Sequence, residues 1–108
     1  MTKKKKPVED SQQIASQIAD LMIDKKAIDI QILDVRGLTT LTDFFVICTS
    51  ESQPQSRAIC NHIEDEMLKE GLKPWHKEGV EKLDWVLVDF VNIVVQIFSR
   101  ESREYYDF

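Results

Sequence analysis

Asp34-Val-Arg-Gly37, followed by Thr42-Asp-Phe-Phe-Val-Ile-Cys-Thr-Ser50, is the stretch whose reading decides the fold. It holds a strand end, a glycine turn, a polar hinge and an apolar strand. Phe44 to Cys48 is apolar without alternation, the pattern of a strand covered on both faces. Successive strand side chains point to opposite faces, so Phe44 and Phe45 diverge. One must face a helix layer, and the other is free to meet a partner. No catalytic motif accounts for the segment, which reads as a shaped surface.

Working outward, the residues before it form a helix and a strand. Asp10 is a suitable N-cap with Gln13 closing a capping box. Ile14, Ile18, Leu21 and Met22 then make one apolar stripe, with Ala15 and Ala19 beside it, ending near Lys25. In Ala27 to Asp34, Ile28, Ile30 and Ile32 alternate with Asp29, Gln31 and Leu33, which predicts a half-buried strand near a sheet edge.

Downstream, Ser52 and Gln55 form a second capping box, and Pro54 falls in the first turn, where its missing N–H is harmless. Ile59, Ile63 and Met67 are the stripe of this helix, and Gly71 suits its C′ position. Lys73 to His76 is a short extended segment. Trp85–Phe90 and Ile93–Phe98 are two strands joined through Val91-Asn92. Tight hairpin links want positive φ, which valine resists, so either the turn is longer than it looks or Val91 is strained. Ser99 can cap a last helix through Tyr106. The predicted order is α-β-β-α-(β)-β-β-α: an α/β domain with a single mixed sheet and flanking helices. Residues 1–9 are expected as a flexible basic tail and 10–108 as one domain.

Composition narrows the function. The chain has 108 residues, 43% hydrophobic and 31% charged, as in a soluble globular protein. No apolar run is long enough to cross a bilayer, and no hydrophobic segment follows the lysines to make an export signal. A cytoplasmic location is expected. The net charge is -5; Lys3, Lys4, Lys5 and Lys6 supply +4, so the other 104 residues carry -9. An acidic body repels phosphate and favours a basic protein partner. Weak RNA contact by Lys3–Lys6 is the competing use of the tail, which otherwise reads as solubilising. Cys48 and Cys60 read as free, buried thiols.

Chemistry is excluded class by class. Gly37, Gly71 and Gly79 are scattered, so there is no phosphate-binding loop. Cys60 and His62 diverge on a helix and cannot share a metal. Ser50 and Ser52 read as caps, not nucleophiles. Thr49-Ser50 loosely resembles the nucleotide-binding turn of a metal-dependent nucleotidyltransferase, the alternative reading. That chemistry needs paired carboxylates on a strand. Asp84 and Asp89 are five apart and diverge, and Asp65 and Glu66 diverge on a helix. No cofactor is implied. Trp85, opening a strand after a charged segment, is a candidate interface anchor, against a core role.

Taken together, Asp34-Val-Arg-Gly37-Leu, Thr42 to Thr49, Ser56-x-Ala58-Ile, Glu78-Gly79, Asp84 to Asp89 and Glu101 to Tyr106 resemble the ribosomal silencing factor (RsfS, Iojap) family over residues 10 to 108. The resemblance implies a fold similar to a nucleotidyltransferase domain without its active site, and a homodimer. It implies binding to the large ribosomal subunit through its fourteenth universal protein, which blocks joining of the small subunit when nutrients are short. The residues it implicates are Thr42, Asp43, Phe45, Glu78, Gly79, Asp84 and Trp85. Trp85 would be the apolar anchor, with Asp43, Glu78 and Asp84 meeting basic residues. The chain departs from the family pattern at Val91-Asn92, usually Gly-Asp, at Gln96, often His, and at Ser50, commonly Gly. Family chains also usually run past the tyrosines to a leucine and a tryptophan.

Overall fold

The computed structural model describes residues 8–105, with side chains from Ser11 onward. Helix α1 spans Val8–Asp24. Strands β1 (Ile28–Asp34) and β2 (Phe44–Ser50) follow, then helix α2 (Gln53–Lys69). Strands β3 (His76–Glu78), β4 (Trp85–Asp89) and β5 (Ile93–Ser99) precede a last helix, α3 (Arg100–Tyr105). The strands form one mixed sheet in the order β1-β2-β5-β4-β3. β2 and β5 run parallel at its centre, and the outer pairings are antiparallel. The expected class and element order are observed.

One face of the sheet packs on α1 and α2. Phe44, Val46, Cys48, Val86, Val88, Val95 and Ile97 meet Ala15, Ile18 and Met22 of α1 and Ile59, Ile63 and Met67 of α2 in one buried cluster. The helix stripes read from the sequence are the ones that pack. Ser52 caps α2 by accepting the Gln55 N–H at 3.1 Å. The Gln55 side chain does not return to Ser52. It accepts the Glu51 N–H at 2.7 Å and donates to the carbonyls of Lys25 and Lys26, tying the end of α1 to the start of α2. Gly71 takes the expected C′ place, with φ 81° and its N–H on Leu68. Ser99 caps α3 through the Ser102 N–H at 3.2 Å.

Two further expectations change, and a third is decided. Helix α1 already includes Val8 and Glu9, so Asp10 lies inside it and does not cap it, and the helix takes in the last two residues assigned to the tail. Lys3–Lys6 and Tyr106 lie outside the described residues.

The regular alternation of β1 is also broken. Ile28 stands opposite Thr49 and Gln31 opposite Ile47, so β1 has one residue more than its partner there, a β-bulge at Asp29 with φ 50°. The bulge turns Ile28 to the face opposite that of Ile32, which is 42% exposed. β1 is nonetheless the expected edge strand.

Third, the β4–β5 link is tight and Val91 absorbs the strain. Its φ is 79°, and the Asn92 N–H closes a three-residue turn onto the Phe90 carbonyl at 3.0 Å. The Asp89 carboxylate accepts the Val91 N–H at 2.7 Å and holds the turn. Such backbone costs about 1–3 kcal/mol for a non-glycine residue. Glycine costs the unfolded chain roughly 0.5–1 kcal/mol in entropy. Val91→Gly should therefore stabilise the fold by about 1 kcal/mol and raise the melting midpoint by about 4–8 °C. A midpoint that falls would show that the half-buried valine packs more than it strains.

Candidate functional site

The second face of the sheet is open. Helix α3 covers one end, where Arg103 donates to Thr49 Oγ1 at 2.9 Å. The rest carries Phe45, Leu87, Val94, Gln96 and Trp85, which the strand register places on one side. Phe44 is 3% exposed and lies in the helix-side core, so Phe45, half-buried, is the phenylalanine that faces outward. Ile47 and Phe98 are fully buried on this outer side, so β2 is covered on both faces over only part of its length.

Trp85 is 39% exposed and firmly held. Its ring stacks on Phe98, with centroids 5.0 Å apart and planes at 26°. Its indole N–H donates to Gln96 Oε1 at 3.1 Å. The Gln96 amide oxygen thereby sets the tryptophan's tilt. A tryptophan fixed by a stack and a hydrogen bond, yet partly in solvent, can bind with little loss of side-chain freedom.

The segment before Trp85 forms a cleft of about 510 Å³, lined by Lys77, Glu78, Gly79, Val80, Glu81, Lys82, Asp84 and Trp85. It brings together four of the residues singled out from sequence: Glu78, Gly79, Asp84 and Trp85. Gly79 has φ 79°, and a Cβ there would lie 1.9 Å from the Trp85 carbonyl oxygen. Only glycine allows the loop this close to β4. The Gly79 carbonyl accepts the Leu83 N–H at 2.9 Å and closes the loop.

A second groove of about 510 Å³ runs beside this cleft on the open face. The sheet contributes Phe45, Leu87, Asp89, Val94 and Gln96, β3 contributes His76 and Glu78, and the β1–β2 loop contributes Val35, Leu38, Thr39, Leu41 and Thr42. Glu78 borders both hollows. The loop is clamped at its start: Arg36 Nε donates to Asp34 Oδ1 at 2.8 Å, and the guanidinium lies 4.8 Å from the Phe44 ring centroid. The Arg36 hydrogen bonds bring the Asp34 carboxyl down to about 2.

Asp43 occupies a different place from the rest. It is 5% exposed, and its carboxylate accepts the Ser11 hydroxyl at 3.0 Å. Asn92 Nδ2 donates to that same hydroxyl at 3.0 Å and approaches the carboxylate at 3.5 Å. The Asp43 N–H donates to the Asn92 carbonyl, and its own carbonyl accepts the Val35 N–H. Asp43 thus joins α1, the β1–β2 loop and the β4–β5 turn inside the molecule. It has almost no surface to offer a partner, contrary to the direct contact expected of it. Thr42 is 2% exposed but lines the groove.

The nucleophile and metal candidates have other occupations. Cys60 Sγ donates to Glu64 at 3.3 Å, while His62 Nε2 lies 3.1 Å from Asp24 of α1. Burial pushes the Cys48 and Cys60 thiols up to about 12, with Glu64 adding to the rise at Cys60, so both are protonated near neutrality. Among the described residues no group of three or more His, Cys, Asp and Glu side chains could hold a metal ion.

Leu38 and Leu41, 83% and 70% exposed, were not singled out from sequence. The available signal was two leucines set among the threonines 39, 40 and 42, a poor composition for a purely solvated loop.

A sequence profile described as "Ribosomal silencing factor during starvation" matches residues 8–108. The chain belongs to the ribosomal silencing factor family. It is 38% identical to ribosomal silencing factor RsfS of Bacillus subtilis, over 78% of this chain and 71% of that protein. To the Haemophilus influenzae RsfS it is 37% identical, over 75% of this chain and 79% of the relative. The chloroplastic protein Iojap of Arabidopsis thaliana is 34% identical over 86% of this chain and 39% of its own length. A crystal structure of a Chromobacterium violaceum protein superposes with a TM-score of 0.85 at 32% identity, covering 89% of this chain and 80% of that one. Membership of a silencing-factor family points to a ribosome partner and to a protein that is not an enzyme. Among the described residues no helix is long and apolar enough to cross a membrane.

Proposed function

We propose that the protein represses translation by occupying the large ribosomal subunit. In this reading it docks through the fourteenth universal protein of that subunit and sterically prevents the small subunit from joining. The observation that carries it is the half-exposed Trp85, held by Phe98 and Gln96 beside a charged cleft on the open face of a silencing-factor fold. Trp85 and Phe45 provide apolar contact, while Glu78 and Asp84 meet basic residues. Thr42, Asp43 and Gly79 shape the loops that carry them. Complementary charge of this kind speeds encounter and fixes register more than it adds affinity. Steric exclusion makes and breaks no bond, so the block is reversible and set by concentration relative to Kd. The protein acts in the cytoplasm and forms a homodimer in this proposal.

The test is a subunit-joining assay analysed on a sucrose gradient. With purified subunits and rising amounts of protein, the joined peak should decline as the large-subunit peak takes up the protein. A joined peak that persists when every large subunit carries the protein would overturn the steric mechanism.

A further inference from the structure

One transverse row of side chains crosses the outer face of the sheet and ends at Trp85. The strand register sets Thr49 of β2 beside Phe98 of β5, and Phe98 beside Trp85 of β4. Residues paired on neighbouring strands point to the same side, so the three form one line. Helix α3 follows β5 directly and packs over the Thr49 end of this row. It has little to hold it there. Its six residues include none that is buried, and a helix so short is marginal alone. Arg100 pairs with Glu51 at 3.1 Å, but both side chains are more than half exposed, and such a pair contributes little. Arg103 is different. It is half-buried and turns inward, donating to the buried Thr49 hydroxyl at 2.9 Å. A hydrogen bond from a charged donor to a buried acceptor is among the stronger kinds.

We propose that Arg103 is a positioning residue for Trp85. By bonding Thr49 it seats α3 over Phe98, and Phe98 in turn supports the indole at 5.0 Å between centroids. Without that bond α3 loosens, Phe98 gains freedom, and Trp85 loses the fixed ring beneath it. The indole must then be ordered again on binding, which weakens affinity although Arg103 touches no partner. The inference rests on the docking reading of Trp85 and places its control at the opposite end of the row.

The experiment compares the wild type with Arg103→Ala, Arg103→Lys, Thr49→Val and the double variant Arg103→Ala/Thr49→Val. Two quantities are read. One is the indole N–H resonance of Trp85 in the free protein, with that of Trp75 as internal reference. The other is Kd for purified large ribosomal subunits. Arg103→Ala and Thr49→Val should each shift and broaden the Trp85 resonance and leave that of Trp75 in place. Each should raise Kd by about threefold to tenfold. The double variant should be no worse than either single one, because both remove the same bond. Arg103→Lys can still donate to Thr49 and should recover most of the affinity. Two controls should leave resonance and Kd unchanged: Arg100→Ala, on the same helix, and Ile63→Val, which lowers the melting midpoint from the helix side of the core. An unmoved Trp85 resonance in a folded Arg103→Ala protein would overturn the inference. So would additive losses in the double variant, or an equal response to Ile63→Val. Should Arg103→Ala fail to fold, Thr49→Val carries the same test, since it keeps the shape of the buried side chain. Failure of the wild type to bind large subunits would overturn the docking reading alone, because the resonance is read without them.

Discussion

Trp85→Glu is expected to abolish co-sedimentation with large ribosomal subunits while the protein stays folded. A hot-spot tryptophan carries about 2 kcal/mol or more, so Kd should rise by about thirtyfold or more. The substitution also adds a carboxylate to a cleft lined by Glu78, Glu81 and Asp84 against Lys77 and Lys82, where the indole would otherwise offer apolar contact. The fold pays something too, because the Phe98 stack and the hydrogen bond to Gln96 are lost. Gln96 is 6% exposed, and leaving its amide oxygen unpaired costs about 1–3 kcal/mol. Trp85→Phe separates the two effects: the ring can still stack, but the N–H is gone. A Trp85→Glu protein that is native by circular dichroism and binds as the wild type does would remove Trp85 from the interface.

Gly79→Ala should destabilise the fold more than alanine at either Gly37 or Gly71. The new Cβ would sit 1.9 Å from the Trp85 carbonyl oxygen and 3.4 Å from Val86 Cα, all backbone and unable to swing aside. Alanine would also have to hold φ 79°, at a cost of about 1–2 kcal/mol. Overpacking adds about 1–3 kcal/mol, so a total loss of about 2–5 kcal/mol is expected from these two terms. Gly37→Ala and Gly71→Ala are the controls. Both glycines have positive φ, but a Cβ there meets nothing within 4 Å. They should show the backbone cost alone in denaturant titrations. Equal losses at all three positions would mean that the loop relaxes away from β4 without penalty. Because the clash falls on Trp85 itself, Gly79→Ala should also weaken ribosome binding.

Much of the fold was legible because local and tertiary demands agree. The stripe Ile59, Ile63, Met67 lies on the buried side of α2, and Ser52 caps where a cap was expected. Val91 could be marked as either strained or part of a longer turn, and its φ of 79° settles that in favour of strain. What could not be read depends on contacts between distant segments. The bulge at Asp29 leaves no trace in an alternating sequence, because its cause is the register against β2. Asp43 looked like surface because it follows a polar loop. Its burial depends on Ser11 and Asn92, which come from either end of the chain. Gln55 has the spacing of half of a local box, but its amide nitrogen bonds the Lys25 and Lys26 carbonyls just beyond α1, about thirty residues earlier. The docking cleft was legible in part, through Trp85 and Glu78-Gly79. The leucine loop was not, because exposure is a property of the folded surface.

The parallel pairing of β2 with β5 has a consequence for synthesis. Phe44–Ser50 finds its central neighbour in Ile93–Ser99, with α2, β3 and β4 between them in the chain. Until β5 is made, β2 lacks its parallel neighbour, and Trp85 has neither Phe98 nor Gln96 to rest against. Long-range pairing of this kind is slow to close and comes late. The face that carries Trp85 is therefore completed only once β5 has paired, and under the proposed function a nascent chain without β5 has no finished surface with which to act on its own ribosome.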